Sequence, residues 1–221
     1  SCGKIFPQEL IEIPRFGILN IHPSMLPYYR GPVPTAWAIL NNESEFGITV
    51  HKVDTGIDTG DILVQSKHDI GDDETGYELY LMAMTLGAKL LIDNFDKIIT
   101  SKIQPKKQES GGSYYGKLES RVFLDWKQSA QKIKNNVRIR AHPYNPIEAI
   151  FENKYFFINK VSIDKFKMSQ KYDAAGGAVL AERGDLHDTK LSTKDFADVF
   201  SNIAKDFAQD AHQCSVLCNC E

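Results

Sequence analysis

Two polar side chains at the end of a short apolar run have the chemistry of a reactive pair. Asn20 and His22 alternate with Leu19 and Ile21, so a β-strand places the amide and the imidazole on the same face. Pro23 then ends the strand, because proline cannot donate a hydrogen bond to a sheet. An amide can donate to a developing oxyanion, and an imidazole can transfer a proton. The pattern predicts a polar pair at the C-terminal end of a strand.

A carboxylate follows in a second segment, residues 47–63. Ile48 and Val50 alternate as they would in a strand, and a loop and a second short strand follow them. Asp58 lies in that loop between Gly56 and Gly60, which allow backbone to approach a ligand closely. We therefore expect Asp58 to be presented near one end of this strand pair.

Together the two segments resemble the folate-dependent formyltransferase family, most closely its methionyl-tRNA formyltransferase branch. The residues that carry the resemblance are Asn20-x-His22-x-Ser24, Leu26-Pro27-x-Tyr29-Arg30-Gly31-x-x-Pro34 and Asp54-x-Gly56-x-Asp58-Thr59-Gly60-Asp61. The resemblance covers roughly residues 1 to 150. It implies an α/β fold, in which the C-terminal part of a formyltransferase-type parallel-sheet (Rossmann-like) domain precedes a smaller, partly β, barrel-like domain.

The resemblance also implies an enzyme that transfers a formyl group from 10-formyltetrahydrofolate, its co-substrate, to a primary amine. In that reaction Asn20 would donate to the oxyanion, and His22 would polarise the same oxygen and act as a general acid. Asp58 would hold the imidazole in one tautomer, raise its pKa and help to remove the proton of the amine. The alternative is a structural role, which is the more common one for an isolated Asn-x-His pair.

Two further groups of residues match binding positions of the family. The positions that match its folate-binding segments are Lys4, Ile5, Phe6, Val53, Asp54, Gly56 and Ile57. The positions that match the acceptor side are Ser24, Tyr29, Arg30 and Gly31. Structural alternatives remain open: Phe6 as a core aromatic residue, Asp54 bonded to the amides of its own loop, and Arg30 in an internal ion pair.

The charge distribution favours methionyl-tRNA as the acceptor. Residues 121–171 contain 11 Lys and Arg against 4 Asp and Glu, and the segments on both sides are acidic. Such a basic segment is typical of a phosphate-binding surface, although a solvated lysine-rich face is the simpler alternative. Competing hypotheses are an acceptor that is a nucleotide-linked amino sugar, hydrolysis of formyltetrahydrofolate, and a non-catalytic fragment that binds a partner.

Composition limits the cellular setting. The chain is 42% hydrophobic and 25% charged, as in ordinary soluble proteins, and it contains no apolar run of membrane-spanning length. We expect no signal peptide. Its four cysteines do not form the framework of a secreted disulfide protein, which favours the cytoplasm or, in a eukaryote, an organellar matrix. The C-terminal pattern His212-x-Cys214-x-x-x-Cys218-x-Cys220 fits no common zinc motif, so we expect no metal. The sequence indicates no oligomeric state.

The predicted organisation has four parts. These are a catalytic domain over residues 1–104 that lacks the N-terminal βα units of the family, a linker at 105–116, a small barrel-like domain at 117–183, and a tail at 184–221. Helical patterns occur at residues 34–41, 75–99, 129–139 and 193–209. Two strands joined near residues 152–154, and a further strand at 174–180, are expected in the small domain.

Overall fold

The computed structural model describes residues 5–125, 128–141, 143–144, 146–151, 154–164, 178–183 and 216–217. The chain divides into two compact units, Ser1–Leu118 and Glu119–Glu221, and each is described by itself. Within these ranges, no helix combines the length and the apolarity needed to cross a membrane. Lys4, the predicted helix at 193–209 and the His/Cys pattern of the C-terminal end lie outside the described residues.

The first unit contains an antiparallel sheet of three strands. They are β1 (Leu19–His22), β2 (Glu45–Lys52) and β3 (Ile62–Asp69), in the order β1-β2-β3. The mixed α/β class is therefore correct, but the expected parallel sheet is wrong for these strands. One reason is that β2 and β3 are joined only by residues 53–61, whereas a parallel pair needs a crossover of a dozen residues or more.

Three helices accompany this sheet: α1 (Gln8–Ile11), α2 (Pro34–Leu40) and α3 (Gly76–Ile99). A capping box starts α3, because the Thr75 hydroxyl accepts from the Glu78 amide at 3.2 Å and the Glu78 carboxylate accepts from the Thr75 amide at 2.9 Å. The helices predicted at residues 34–41 and 75–99 are thus confirmed to within one residue at each end.

Close packing of α3 on the sheet separates an apolar face from a polar one. A Cβ atom built on Gly87 would lie 2.5 Å from Ile21 Cγ2 and 3.4 Å from Ile48 Cγ2, so helix and strands approach each other closely at this glycine. Residues directly opposite in a strand pair share a face, and alternate residues point to opposite faces. The other face of β1 and β2 therefore carries the polar set Asn20, His22, Thr49 and His51.

The segment expected as a linker, residues 105–116, belongs to the first unit and packs against other parts of it; we call this segment the strap. Lys106 exchanges two backbone hydrogen bonds of 2.8 Å with Ile62. Further along, Arg30 donates its amide to the Ser113 carbonyl and accepts from the Tyr115 amide, both at 2.9 Å. The strap thus runs beside the loop that follows β1, and the division between the units falls after Leu118.

The second unit combines α4 (Ala130–Arg138) with a four-stranded sheet. Its strands are β4 (Ile147–Phe151), β5 (Lys154–Asp164), β6 (Ala178–Arg183) and β7 (Val216–Leu217), in the order β4-β5-β6-β7. The predicted helix at 129–139 and the hairpin around residues 152–154 are confirmed. The strand expected at 174–180 overlaps β6, and the barrel-like form of this domain stays a prediction.

Candidate active site

Four polar side chains of the first unit converge at one end of the β1/β2 pair. Asn20 and His22 come from β1, His51 comes from β2, and Asp58 comes from the loop between β2 and β3. The Asp58 Oδ1 atom lies 3.5 Å from Asn20 Nδ2, 3.6 Å from His22 Nδ1 and 3.7 Å from His51 Nε2. The structure therefore brings together the three residues predicted from the sequence and adds His51, to which sequence reasoning gave no role.

The register of the β1/β2 pair and a bulge in β2 place His51 in this group. Asn20 and His51 are direct partners in the antiparallel β1/β2 pair, so their side chains share a face. The pairing of β2 with β3 shifts between Val50 and His51, and such a bulge re-aims a side chain near the end of a strand. The alternation of Thr49 and His51 on β2 was readable in the sequence, but the pairing with β1 was not.

Main-chain carbonyl groups define the tautomers of both histidines. His22 Nε2 lies 2.8 Å from the Tyr29 carbonyl oxygen, which can only accept, so Nε2 carries the proton of the neutral ring. In the same way His51 Nδ1 donates to the Lys52 carbonyl at 2.7 Å, and His51 Nε2 accepts from Asn20 Nδ2 at 3.1 Å. The expected role of Asp58 in setting the tautomer of His22 is thus wrong, because Tyr29 supplies that contact.

Burial keeps both imidazole rings neutral. His22 is 4% exposed and His51 is 2% exposed, and this loss of hydration lowers the pKa of each. The Asp58 carboxylate raises the pKa of both rings in opposition, but burial is the larger effect. The expectation that Asp58 raises the pKa of His22 thus holds for the direction of its contribution and not for the net result. Near neutral pH, the unprotonated Nδ1 atom of His22 is directed towards Asp58 and can accept a proton, whereas the lone pair of His51 Nε2 accepts the hydrogen bond from Asn20.

Asp58 is held by backbone on its loop and on the loop after β1. Its φ of +53° is in the left-handed region, which is uncommon for a residue other than glycine. Its Oδ2 atom accepts a hydrogen bond of 2.9 Å from the Gly31 amide. In the same loop, the Asp54 carboxylate accepts from the Gly56 amide at 3.1 Å and from the Thr59 hydroxyl at 2.7 Å, so Asp54 shapes the loop.

The side chains predicted to contact the acceptor form hydrogen bonds within the first unit. Ser24 is buried and donates to the Tyr28 carbonyl at 2.7 Å. The Tyr29 hydroxyl donates to Glu43 at 2.6 Å, and burial, followed by this contact, raises the pKa of Tyr29 to about 12. The Arg30 guanidinium donates twice to Gln108 Oε1, at 3.1 and 2.7 Å. These contacts give the loop after β1 a defined shape, and they leave three of the five N–H donors of the Arg30 guanidinium without a bond to Gln108.

The residues predicted to contact the folate differ in exposure and in hydrogen bonding. Ile5 is 64% exposed and Ile57 is 41% exposed, whereas the Val53 amide donates to the Ile18 carbonyl at 2.8 Å. The amides of Thr55 and Ile57 have no hydrogen bond within the described part of the chain. Free amides beside an apolar side chain suit a flat heterocycle with amide-like edges, so this loop fits a pterin. Within the residues that the structure describes, no group of three His, Cys, Asp or Glu side chains is arranged to hold a metal ion.

Comparison with protein families adds a deciding observation. The family described as formyl transferase matches residues 1–95, which include all four converging side chains. Residues 1–95 belong to the formyl transferase family. The strap and the second unit lie outside the segment matched by the formyl transferase family.

Individual formyltransferases are similar over a longer stretch. The chain is 39% identical to the methionyl-tRNA formyltransferase of Citrifermentans bemidjiense over 140 residues, which are 62% of this chain and 44% of that protein. It is 38% identical to the methionyl-tRNA formyltransferase of Geobacter metallireducens over 165 residues, which are 74% of this chain and 53% of that protein. The chain spans about half the length of the curated relatives that it matches.

Solved formyltransferase structures are also similar. One is the N-formyltransferase of Helicobacter canadensis in complex with folinic acid and dTDP-3-aminofucose, with a TM-score of 0.58, 27% identity and coverage of 70% of this chain and 60% of that one. Another is a 4-N formyltransferase of Francisella tularensis, with a TM-score of 0.62, 25% identity and coverage of 74% and 69%. These likenesses agree with the family assignment of residues 1–95.

Proposed function

We propose that this chain transfers a formyl group from 10-formyltetrahydrofolate to a primary amine. The observation that carries the proposal is the convergence of Asn20, His22, His51 and Asp58 in a segment that belongs to the formyl transferase family. The Helicobacter canadensis relative, whose structure contains folinic acid, supports a folate as the co-substrate. The exposed edge formed by Ile57 and the free amides of the Asp58 loop would bind it.

In this reaction 10-formyltetrahydrofolate supplies the formyl carbon and N10, the leaving nitrogen. The neutral His22 ring accepts the proton that the amine loses when its nitrogen bonds to the formyl carbon. Asp58 Oδ1, 3.6 Å from His22 Nδ1, stabilises the positive charge that the ring then carries. His22 returns the proton to N10 as the bond between N10 and the formyl carbon breaks, so the neutral ring is restored.

Asn20 stabilises the negative charge that develops on the formyl oxygen. One of its two amide N–H bonds is directed to His51 Nε2 at 3.1 Å, and the other approaches Asp58 Oδ1 only at 3.5 Å. The second contact is long for a hydrogen bond, so this N–H is the one available to an oxyanion. His51 fixes the plane of the amide by accepting the first N–H, which makes it a positioning residue for Asn20.

Methionyl-tRNA is the acceptor that we favour. The relatives that are 38 to 40% identical to the chain are named methionyl-tRNA formyltransferases, and residues 121–171 have an excess of Lys and Arg. A nucleotide-linked amino sugar is the second candidate, which the Helicobacter canadensis structure with dTDP-3-aminofucose favours. Arg30 and Tyr29 also bond within the first unit, and contact of either side chain with the acceptor stays a prediction.

An assay of formyl transfer tests both acceptors. The purified chain is incubated with 10-formyltetrahydrofolate and either methionyl-tRNA or dTDP-3-aminofucose, and the formylated product is quantified. We expect product from methionyl-tRNA, at a rate that falls steeply as salt is added, since tRNA binding releases counterions. Product from the amino sugar alone would transfer the proposal to the second candidate. Formate release without an acceptor would indicate hydrolysis, and no turnover with either acceptor would contradict the function.

The Asp58→Asn variant tests the catalytic assignment. Asparagine keeps the acceptor atom for the Gly31 amide but removes the charge that stabilises protonated His22. We expect turnover to fall by about 10²- to 10⁴-fold, the range for loss of acid–base assistance, while binding of 5-formyltetrahydrofolate is retained. Asp61→Asn, at the end of the same loop, is the matched control and should retain turnover. Near-normal turnover of the Asp58 variant would contradict the mechanism.

A further inference from the structure

Gln108, in the strap, uses its whole amide to connect the two loops that hold Asp58. Its Nε2 donates hydrogen bonds of 2.8 Å to the carbonyls of Asp58 and Gly60. Its Oε1 accepts the two hydrogen bonds from the Arg30 guanidinium. A primary amide has two N–H donors and two lone pairs, so all four of its hydrogen-bonding positions are occupied.

These contacts fix Asp58 at its backbone while Gly31 fixes it at its carboxylate. The Gln108 amide holds the carbonyl of Asp58, whose left-handed φ of +53° is unfavourable without support from its surroundings. On the other side, the Gly31 amide holds Oδ2, and Gly31 follows Arg30, which Gln108 also binds. Both attachments of Asp58 therefore depend on the same glutamine.

The strap backbone places Gln108 independently of its side chain. On one side the paired hydrogen bonds between Lys106 and Ile62 anchor it to the start of β3. On the other side Ser113 accepts from the amides of Tyr29 and Arg30, at 2.9 Å each, through its hydroxyl and its carbonyl. A substitution at position 108 should consequently remove the side-chain contacts and leave the path of the strap intact.

We propose that Gln108 is a positioning residue that holds the Asp58 carboxylate between His22 and His51 by tethering the Asp58 loop to Arg30. The proposal rests on the proposed formyl transfer for its catalytic consequence, but its structural content does not. Without the tether, the Asp58 loop can relax from its left-handed conformation, and the carboxylate moves away from the imidazole rings. A shift of about 1 Å in a catalytic group can reduce turnover by about 10²-fold.

The test compares Gln108→Ala and Gln108→Glu with Gln104→Ala. Gln104 is the matched control, because it is an exposed glutamine shortly before the strap whose amide donates only to the Ser101 carbonyl, at 2.8 Å. The glutamate variant keeps an acceptor for Arg30, which favours folding, but it has no donor for the Asp58 and Gly60 carbonyls. For both Gln108 variants we expect kcat to fall by about 10²-fold with KM for the acceptor changed less than about threefold.

A second measurement separates this proposal from the proposed function. NMR titration of the His22 and His51 ring protons reports the Asp58 charge without any turnover. Because Asp58 raises the pKa of both rings, we expect both to titrate at lower pH in Gln108→Ala and unchanged in Gln104→Ala; Gln108→Glu is left out of this measurement because its added carboxylate would itself raise the pKa of the rings. Titration that matches the wild type in folded Gln108→Ala would overturn the proposal, even if the chain proved to be an active formyltransferase. Shifted titration in a chain without formyl transfer would support the tether and reject the function.

Discussion

Gly31→Ala should be among the most damaging single-methyl additions in the first unit. Gly31 has a φ of +98°, and a Cβ atom there would lie 2.2 Å from the Tyr115 carbonyl oxygen and 2.9 Å from the Tyr114 ring. A left-handed φ costs an L-residue about 1–2 kcal/mol. Forcing the strap backbone away adds about 1–3 kcal/mol, the usual penalty for an overpacked site. The hydrogen bond from the Gly31 amide to the charged Asp58, worth about 1.5–3 kcal/mol, is weakened as well.

Gly111→Ala isolates the conformational part of this penalty. Gly111 lies in the same strap with a φ of +106°, but a Cβ atom there would have no neighbour within 4 Å. Substitution of Gly111 should lower the free energy of unfolding by about 1–2 kcal/mol at most. The lower conformational entropy of the unfolded alanine variant offsets part of this loss. Urea denaturation should therefore give Gly31→Ala a lower free energy of unfolding than Gly111→Ala, by about 1–3 kcal/mol or more. Equal stabilities would refute the inference that the strap and the loop after β1 are in contact at Gly31.

Two other perturbations address the buried histidines and the packing of α3. Burial lowers the pKa of His22 and His51, so below pH 6.5 the unfolded chain binds more protons than the native chain. The free energy of unfolding should therefore decrease as the pH is lowered from 6.5 to the native pKa values, by at most about 1.4 kcal/mol per pH unit for each ring. A flat free energy of unfolding between pH 7.5 and 5.5 would contradict neutral burial. Gly87→Ala gains about 1 kcal/mol of helix propensity but places a methyl group 2.5 Å from Ile21 Cγ2, an overlap that costs about 1–3 kcal/mol. We expect a lower thermal midpoint together with lower turnover, since Ile21 separates Asn20 from His22, and a raised midpoint would count against close packing.

The parts of the site that sequence reasoning reached are those encoded within a few residues of one another. Asn20 and His22 are two residues apart on one strand, so their common face follows from the pleat alone. Asp58 is bounded by Gly56 and Gly60, which is a local signal for a loop that approaches a ligand. The start of α3 was predictable for the same reason, because the Thr75 and Glu78 capping box lies within one helical turn.

The parts that were missed depend on pairings between distant segments. His51 joins the site because β1 and β2 pair in a register that sets it opposite Asn20, 31 residues away. Gln108 lies 50 residues from Asp58, in a stretch whose Pro, Lys, Gln, Gly and Ser content is typical of a linker. The parallel sheet was expected from the family fold, whereas the short connection at residues 53–61 requires a hairpin. The prediction that Asp58 selects the tautomer of His22 was wrong, because the backbone carbonyl of Tyr29 makes that contact and a backbone contact cannot be read from the residue type.

The use of main-chain carbonyls to orient both imidazole rings has an evolutionary consequence. The contact from Lys52 is made by its backbone oxygen, while its side chain is exposed, so the residue at position 52 can drift freely as long as β2 keeps its path. Position 29 is more constrained, because its φ of +59° is tolerated with the help of the ring stacked on Tyr115 and the hydroxyl bound to Glu43. The charge at position 52 could therefore be varied to adjust the electrostatic field around the candidate active site, whereas position 29 should be kept as tyrosine.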